Sequence, residues 1–138
     1  MIKECHVGVK GLVLVNGRCL VLQSGTGTSA YWDVPGGRID DAETLRETLL
    51  RELHEELPSI KKFTPGEVVG AYRLGTDIQE GKGLVFIFYR VDADEFEVTL
   101  SSEHCAYRWI SKETLFELQN SSISINPDLY ILIESVLK

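Results

Sequence analysis

The sequence predicts an α/β fold in which one mixed β-sheet is covered by helices on both faces. Three observations lead there. Two apolar, β-branched runs flank Asn16-Gly17, a strong two-residue hairpin signal. Residues 42–57 carry a helical stripe made of Ala42, Leu45, Leu49, Leu53 and Leu57. More strand-like runs follow that helix, and helical segments close the chain. A single sheet between helices buries all of these apolar stripes at once.

The elements follow in order. Residues 7–23, "VGVKGLVLVNGRCLVLQ", form the hairpin, and 24–30, "SGTGTSA", a flexible loop. The stretch 31–41, "YWDVPGGRIDD", reads as a short strand entering a Pro-Gly-Gly turn. Asp40 or Asp41 is the expected N-cap of the helix over 42–57. Pro58 ends that helix, because the residue before a proline is pushed out of the α region. Strands are expected over 67–74, 83–91, 96–100 and 107–110. Ser111 is expected to cap a short helix over "KETLFEL", and Asn126-Pro127 to open a terminal helix reaching Leu137. No repeat, low-complexity tract or linker interrupts the 138 residues, so 1–138 reads as a single domain.

Charge narrows the partners. The net charge is −7 and the basic residues are dispersed, which argues against a nucleic-acid polymer, since that needs clustered Lys and Arg. A small phosphorylated substrate stays open, provided a cation stands between the protein's acids and the phosphates. The apolar run Leu84–Tyr89 is too short to cross a bilayer, so no membrane partner is expected. The N-terminus shows no secretory pattern. Cys5, Cys19 and Cys105 are scattered and form no CxxC pair, so they read as reduced, mostly buried thiols of a cytoplasmic protein.

"RELHEELP" (51–58) carries the sharpest signal. Glu52, Glu55 and Glu56 are related as i, i+3 and i+4 and share one helix face beside the apolar stripe. Each like-charge pair costs roughly 0.2–0.5 kcal/mol. Carboxylates in a last turn oppose the helix dipole by roughly 0.3–1 kcal/mol each. Arg51 is too few charges to neutralise all three. Two readings compete on the glutamates alone: a solvated acidic face, or oxygen ligands for a hard cation such as Mg²⁺ or Mn²⁺.

The surrounding residues sharpen the choice. In "PGGRIDDAETLRETLLRELHEEL" (35–57), Gly37 is followed after five residues by Glu43 and after seven more by Arg51-Glu52-Leu53-His54-Glu55-Glu56. This resembles the Nudix box, G-x5-E-x7-R-E-U-x-E-E-x-G-U, with U a bulky apolar residue. Every charged position matches. Pro58 replaces the closing glycine and Ser59 the final bulky residue, with Ile60 next. The resemblance covers essentially the whole chain and implies the Nudix α/β/α sandwich. It also implies that Glu52, Glu55 and Glu56 ligate Mg²⁺ or Mn²⁺, that Gly37 offers a backbone carbonyl to the metal, and that Glu43 and Arg51 orient the ligating glutamates.

A second stretch, "SSEHCAYRWIS" (101–111), places Glu103-His104 in a loop before a strand. It is similar to the corresponding loop of GDP-mannose-hydrolysing Nudix enzymes, where a His serves as base. The resemblance offers Glu103 as a further metal ligand and His104 as general base, with Glu52 the rival for that role because the box is intact. Trp32 and Tyr72 are candidates for stacking a nucleobase, with core packing as the competing reading. Arg73 is placed to meet a distal phosphate.

The expected function is metal-dependent hydrolysis of a pyrophosphate bond in a nucleoside diphosphate linked to another moiety. Nucleoside triphosphates and nucleotide sugars both fit. The alternatives are a non-catalytic Nudix-fold nucleotide-binding module, glycosyl hydrolysis of the GDP-mannose type, and a purely structural acidic helix. Many Nudix proteins are dimers, so the resemblance leaves a homodimer open.

Overall fold

The computed structural model describes residues 3–137. Eight strands form one mixed sheet: β1 (Glu4–Val15), β2 (Arg18–Ser24), β3 (Tyr31–Asp33), β4 (Gly36–Arg38), β5 (Phe63–Arg73), β6 (Lys82–Ala93), β7 (Ala106–Ile110) and β8 (Ser124–Ile125). Two α-helices cover it, α1 (Leu45–Glu56) and α2 (Pro127–Val136). The path runs β5-β6-β1-β2-β3-β8, with β4 also on β1 and β7 also on β2.

The hairpin forms as the sequence predicts. Asn16 and Gly17 take φ of 50° and 76°, the left-handed pair that a two-residue turn requires. The two strands then part. β1 pairs with β2 only at Leu14↔Cys19 and Val15↔Arg18, while Gly8, Val9 and Lys10 pair with β4. β2 turns to β7 and β3 instead. This divergence curls the sheet and opens a cleft between β1, β6 and β5 on one side and β3 on the other. β1 and β6 run parallel along nearly their full length.

Period-2 alternation sends the two faces of the central strands into separate cores. Val9, Val13, Leu20, Leu22 and Val91 pack with Leu49, Leu53 and Leu57 of the α1 segment. Leu12, Leu14, Val21 and Phe88 pack with Leu129 and Ile133 of α2. Leu49, Leu53 and Leu57 are fully buried, worth about 1.5–3 kcal/mol each. These three anchor α1 and fix which side of it faces β4.

Several expectations need correction. The N-cap of α1 is Thr44, not Asp40 or Asp41. Its hydroxyl accepts from the Glu47 N–H at 3.1 Å, and the Glu47 carboxylate accepts from the Thr44 N–H at 3.0 Å. That capping box satisfies two orphan donors, which a lone aspartate could not. Ala42 therefore precedes the helix. The Gly36-Gly37 pair lies in β4 rather than in a turn. Residues 96–100 form no ladder among the described residues, although Phe96, Val98 and Leu100 still pack on the α1-side core. The helix over "KETLFEL" is a single 3₁₀ turn, Leu115–Leu118, and Ser111 does not cap it; its N–H donates to Thr114 Oγ1 at 2.9 Å. Among the cysteines only Cys19 is buried; all three are free thiols. Asn126 caps α2 as expected, accepting from Asp128 N–H at 2.8 Å. No described helix is long and apolar enough to cross a membrane.

Candidate active site

The last two turns of α1 lie against β4, and this contact builds the site. Gly36 takes φ of 151°, and a Cβ there would collide with the Val9 carbonyl and the Lys10 backbone. A Cβ on Gly37 would stand 2.5 Å from the Glu52 carboxylate. The glycines thus bring bare backbone against the helix, and the acids close on it.

Arg51 organises the acids. Its Nε and Nη2 donate to the two oxygens of Glu43 at 2.7 and 2.9 Å, a bidentate fork. Its Nη1 donates to Glu52 at 2.8 Å and reaches Glu55 at 3.4 Å. Nη2 also meets the Arg38 carbonyl at 3.3 Å. Glu43 accepts further from Thr48 Oγ1 and from the Asp40 N–H, both at 3.1 Å. The Arg51 hydrogen bonds are the first cause holding the Glu43 carboxyl down at about 2. One arginine therefore bridges two of the three crowded glutamates as well as Glu43, although its single charge balances only one carboxylate.

Glu56 is the exception. It is buried, at 3% exposure, and its carboxylate accepts from the Gly36 N–H at 2.9 Å. Burial pushes its pKa up to about 8, against the lowering effects of that hydrogen bond and of Lys10. His104 Nε2 stands 3.4 Å from Glu56 Oε1, and burial holds the imidazole pKa below its ordinary value. Burial thus disfavours the charged form of both partners. The buried His104 Nδ1 has no hydrogen-bond partner among the described residues.

Ligand atoms of Glu56, Glu103 and His104 lie within 4.8 Å of one another. A buried carboxylate strained toward protonation, beside an exposed carboxylate and a neutral imidazole, is a donor set that suits a divalent cation. Glu52 and Glu55 approach from the same end of α1, although Arg51 now engages both. The structure thus brings Glu56, Glu103 and His104 together, with Glu52 against Gly37 beside them and Glu55 more exposed on the same helix face.

Beside this acidic centre lies the cleft opened by the parted hairpin, about 550 Å³ in volume. Trp32, Tyr72 and Phe86 line it, together with Lys10, Asp33 and Asn126. Tyr72 stacks on Phe88, with centroids 5.1 Å apart. The buried Trp32 indole N–H has no partner among the described residues. Arg73 does not line the cleft. Alternation along β5 turns it to the other face, where its guanidinium lies 4.0 Å from Asp77.

Sequence reasoning missed Lys10 and Asp33. Lys10 is a lone charge in an apolar strand, "HVGVKGLVLV", and is 7% exposed. Its ammonium donates to Asp33 Oδ2 at 3.0 Å and Val34 O at 3.4 Å and sits 4.9 Å over the Phe86 ring. The break in apolar alternation was the available signal.

The fold is an α/β/α sandwich with a glutamate-bearing helix laid against its sheet. The NUDIX domain model matches residues 6–129, and the chain belongs to the Nudix family as a Nudix pyrophosphohydrolase. It is 32% identical over 101 residues to the mouse (Mus musculus) bis(5'-nucleosyl)-tetraphosphatase [asymmetrical], covering 72% of this chain and 67% of that protein. It is 29% identical over 108 residues to the CTP pyrophosphohydrolase of Escherichia coli (strain K12), covering 76% and 75%. It is 30% identical over 122 residues to the RNA pyrophosphohydrolase of Rhodospirillum rubrum, covering 78% and 74%. The MutT protein of Methanosarcina mazei Go1 shares the fold, with a TM-score of 0.75 at 24% identity over 99% of this chain and 95% of that one.

Proposed function

We propose that this one-domain enzyme uses Mg²⁺ or Mn²⁺ to hydrolyse a pyrophosphate bond in a nucleoside diphosphate linked to another moiety, a nucleoside triphosphate or a nucleotide sugar. The observation that carries this reading is the adjacency of the glutamate cluster to a cleft of about 550 Å³ that Trp32, Tyr72 and Phe86 line. Glu52, Glu55, Glu56 and Glu103, with the Gly37 carbonyl, would hold the cation. When bound, it neutralises phosphate charge and acidifies a water.

The chain's own groups supply the rest. Arg51 and Glu43 fix the helix-borne carboxylates. His104, whose burial favours the unprotonated imidazole, is the candidate base, and Glu52 is the competing base. Trp32 and Tyr72 hold the base, while Arg73, on the far face of β5, would serve only a long substrate that wraps the sheet edge. The relatives' names share cleavage of nucleotide phosphoanhydrides, in keeping with this chemistry. Three free cysteines and a net charge of −7 suit a cytoplasmic enzyme acting on small nucleotides rather than on polymers. A homodimer is compatible with the reading but is not needed for it.

The Glu103-His104 loop favours a second reading, attack at a sugar carbon as in the GDP-mannose enzymes. Hydrolysis of GDP-mannose and GTP in heavy-oxygen water separates the two. Attack at phosphorus puts the label in a phosphate product; label in the sugar would overturn the proposal, as would the absence of any Mg²⁺- or Mn²⁺-dependent turnover.

A further inference from the structure

Lys10 and Asp33 are the charged pair in a cleft lined mainly by aromatic and aliphatic side chains, with Ser124 and Asn126 also on its wall. An ammonium only donates and a carboxylate only accepts, so the pair offers a ligand a fixed donor next to a fixed acceptor. Lys10 spends two of its three N–H groups on Asp33 and Val34 O, which leaves one. Asp33 accepts once at each oxygen, from the Val34 N–H at 2.8 Å and from Lys10, and each oxygen keeps a further lone pair. The two groups are not at equal depth. The Lys10 side chain is 9% exposed and that of Asp33 is 21% exposed, so the donor lies deeper.

A buried ion pair is a weak device for stability, since desolvation offsets most of its attraction. Its position in the cleft, with hydrogen-bonding capacity unspent, gives it another use. We infer that the Lys10–Asp33 pair selects the base, favouring oxo bases (guanine, uracil, thymine) over amino bases (adenine, cytosine). This deepens the proposed function and rests on its reading of the cleft as the nucleoside site.

The exocyclic group projects beyond the ring edge and reaches the deeper member, Lys10. An oxo group accepts there, and the adjoining ring N–H donates to Asp33. Both bonds are charge-assisted. An exocyclic amine would meet the ammonium donor-to-donor, and its neighbouring ring nitrogen would face the carboxylate acceptor-to-acceptor. Leaving such groups unpaired beside a nearly buried ammonium is the kind of mismatch that discriminates strongly.

Calorimetric titration with GMP, UMP, AMP and CMP tests this without any need for turnover. The wild-type protein should bind GMP and UMP at least about 10-fold more tightly than AMP and CMP, respectively. Lys10→Met keeps an unbranched side chain but removes the ammonium, and should erase that preference. The double variant Lys10→Met/Asp33→Asn removes the pair together, so no unpaired carboxylate is left to perturb folding, and it should show the same loss. Equal binding of oxo and amino bases, preference for AMP or CMP, no binding of any of the four, or an unchanged preference in the folded double variant would each overturn the inference. Failure of the hydrolysis assay with every nucleotide would instead remove the catalytic reading, while these titrations would still decide the role of the pair.

Discussion

Arg51 grips Glu43 with two parallel hydrogen bonds, 2.7 and 2.9 Å, and spends its remaining nitrogen on Glu52 and Glu55. Glu43, ahead of the helix, is thereby tied to Glu52 and Glu55 in its last two turns. Acids that would repel one another are held apart by a single planar cation, and the glutamate side chains keep one orientation before any metal arrives.

Loosening that fork should hurt activity more than stability. Arg51→Lys replaces a bidentate fork with a point charge. The exchange should lower turnover or metal affinity by roughly 10–100-fold, with little change in stability, because solvent screens this pair. Steady-state kinetics beside a thermal melt reads both. A variant with wild-type kinetics would remove Arg51 from the positioning role.

Gly37→Ala isolates the contact between β4 and α1. The new Cβ would stand 2.5 Å from the Glu52 carboxylate, the far end of a flexible side chain that is free to swing away. Stability should change by roughly 1 kcal/mol or less, yet Glu52 would leave its place beside Arg51. Turnover should fall by about 100-fold, in line with misplacing a catalytic group. An active, unperturbed variant would show that Glu52's position does not matter.

Stability of the metal-free protein should depend on pH through Glu56. Its folded pKa, about 8, lies above the ordinary 4.5. The contribution is therefore full below about 4.5 and is lost as pH rises through about 8. In EDTA, the melting temperature of the wild type should fall more steeply between pH 5 and roughly 8.5 than that of Glu56→Gln, and Mg²⁺ should reverse the fall by displacing the proton. Parallel curves for the two proteins would contradict this origin.

Tyr72→Ala should raise KM with kcat largely kept. Stacking on one aromatic ring is worth about 1–3 kcal/mol. A change in kcat alone would place Tyr72 outside the binding step.

Much of this site was legible because α1 is local. The i, i+3, i+4 spacing of Glu52, Glu55 and Glu56 survives in the structure, and so does the stripe of Leu49, Leu53 and Leu57. The capping box was legible too, since Thr44-x-x-Glu47 stands in the sequence, but two adjacent aspartates drew the N-cap assignment away from it. What could not be read were pairings across distance. Lys10 meets Asp33 only because β1 leaves β2 and turns to β4. Glu56 meets His104 only because a loop nearly fifty residues downstream folds back over α1. β4 and β8 are too short to show alternation, and their strand character comes from their partners. Residues 96–100 alternate well but pair with no strand among the described residues, so side-chain packing shapes them. Pro58, where the chain departs from the box, leaves the path intact: Ile60 N–H donates to Leu57 O at 3.0 Å and Ile60 is buried in the core.

The most direct measurement is phosphate release from a panel of nucleoside triphosphates, nucleotide sugars and dinucleoside polyphosphates, with phosphatase coupling and with Mg²⁺ or Mn²⁺ present or chelated, for the wild type and Glu55→Gln. The expected result is metal-dependent turnover of at least one substrate by the wild type, abolished in a variant whose melting temperature is unchanged. No turnover with either metal, or full activity in Glu55→Gln, would contradict the assignment of this helix as the centre of a metal-dependent pyrophosphohydrolase.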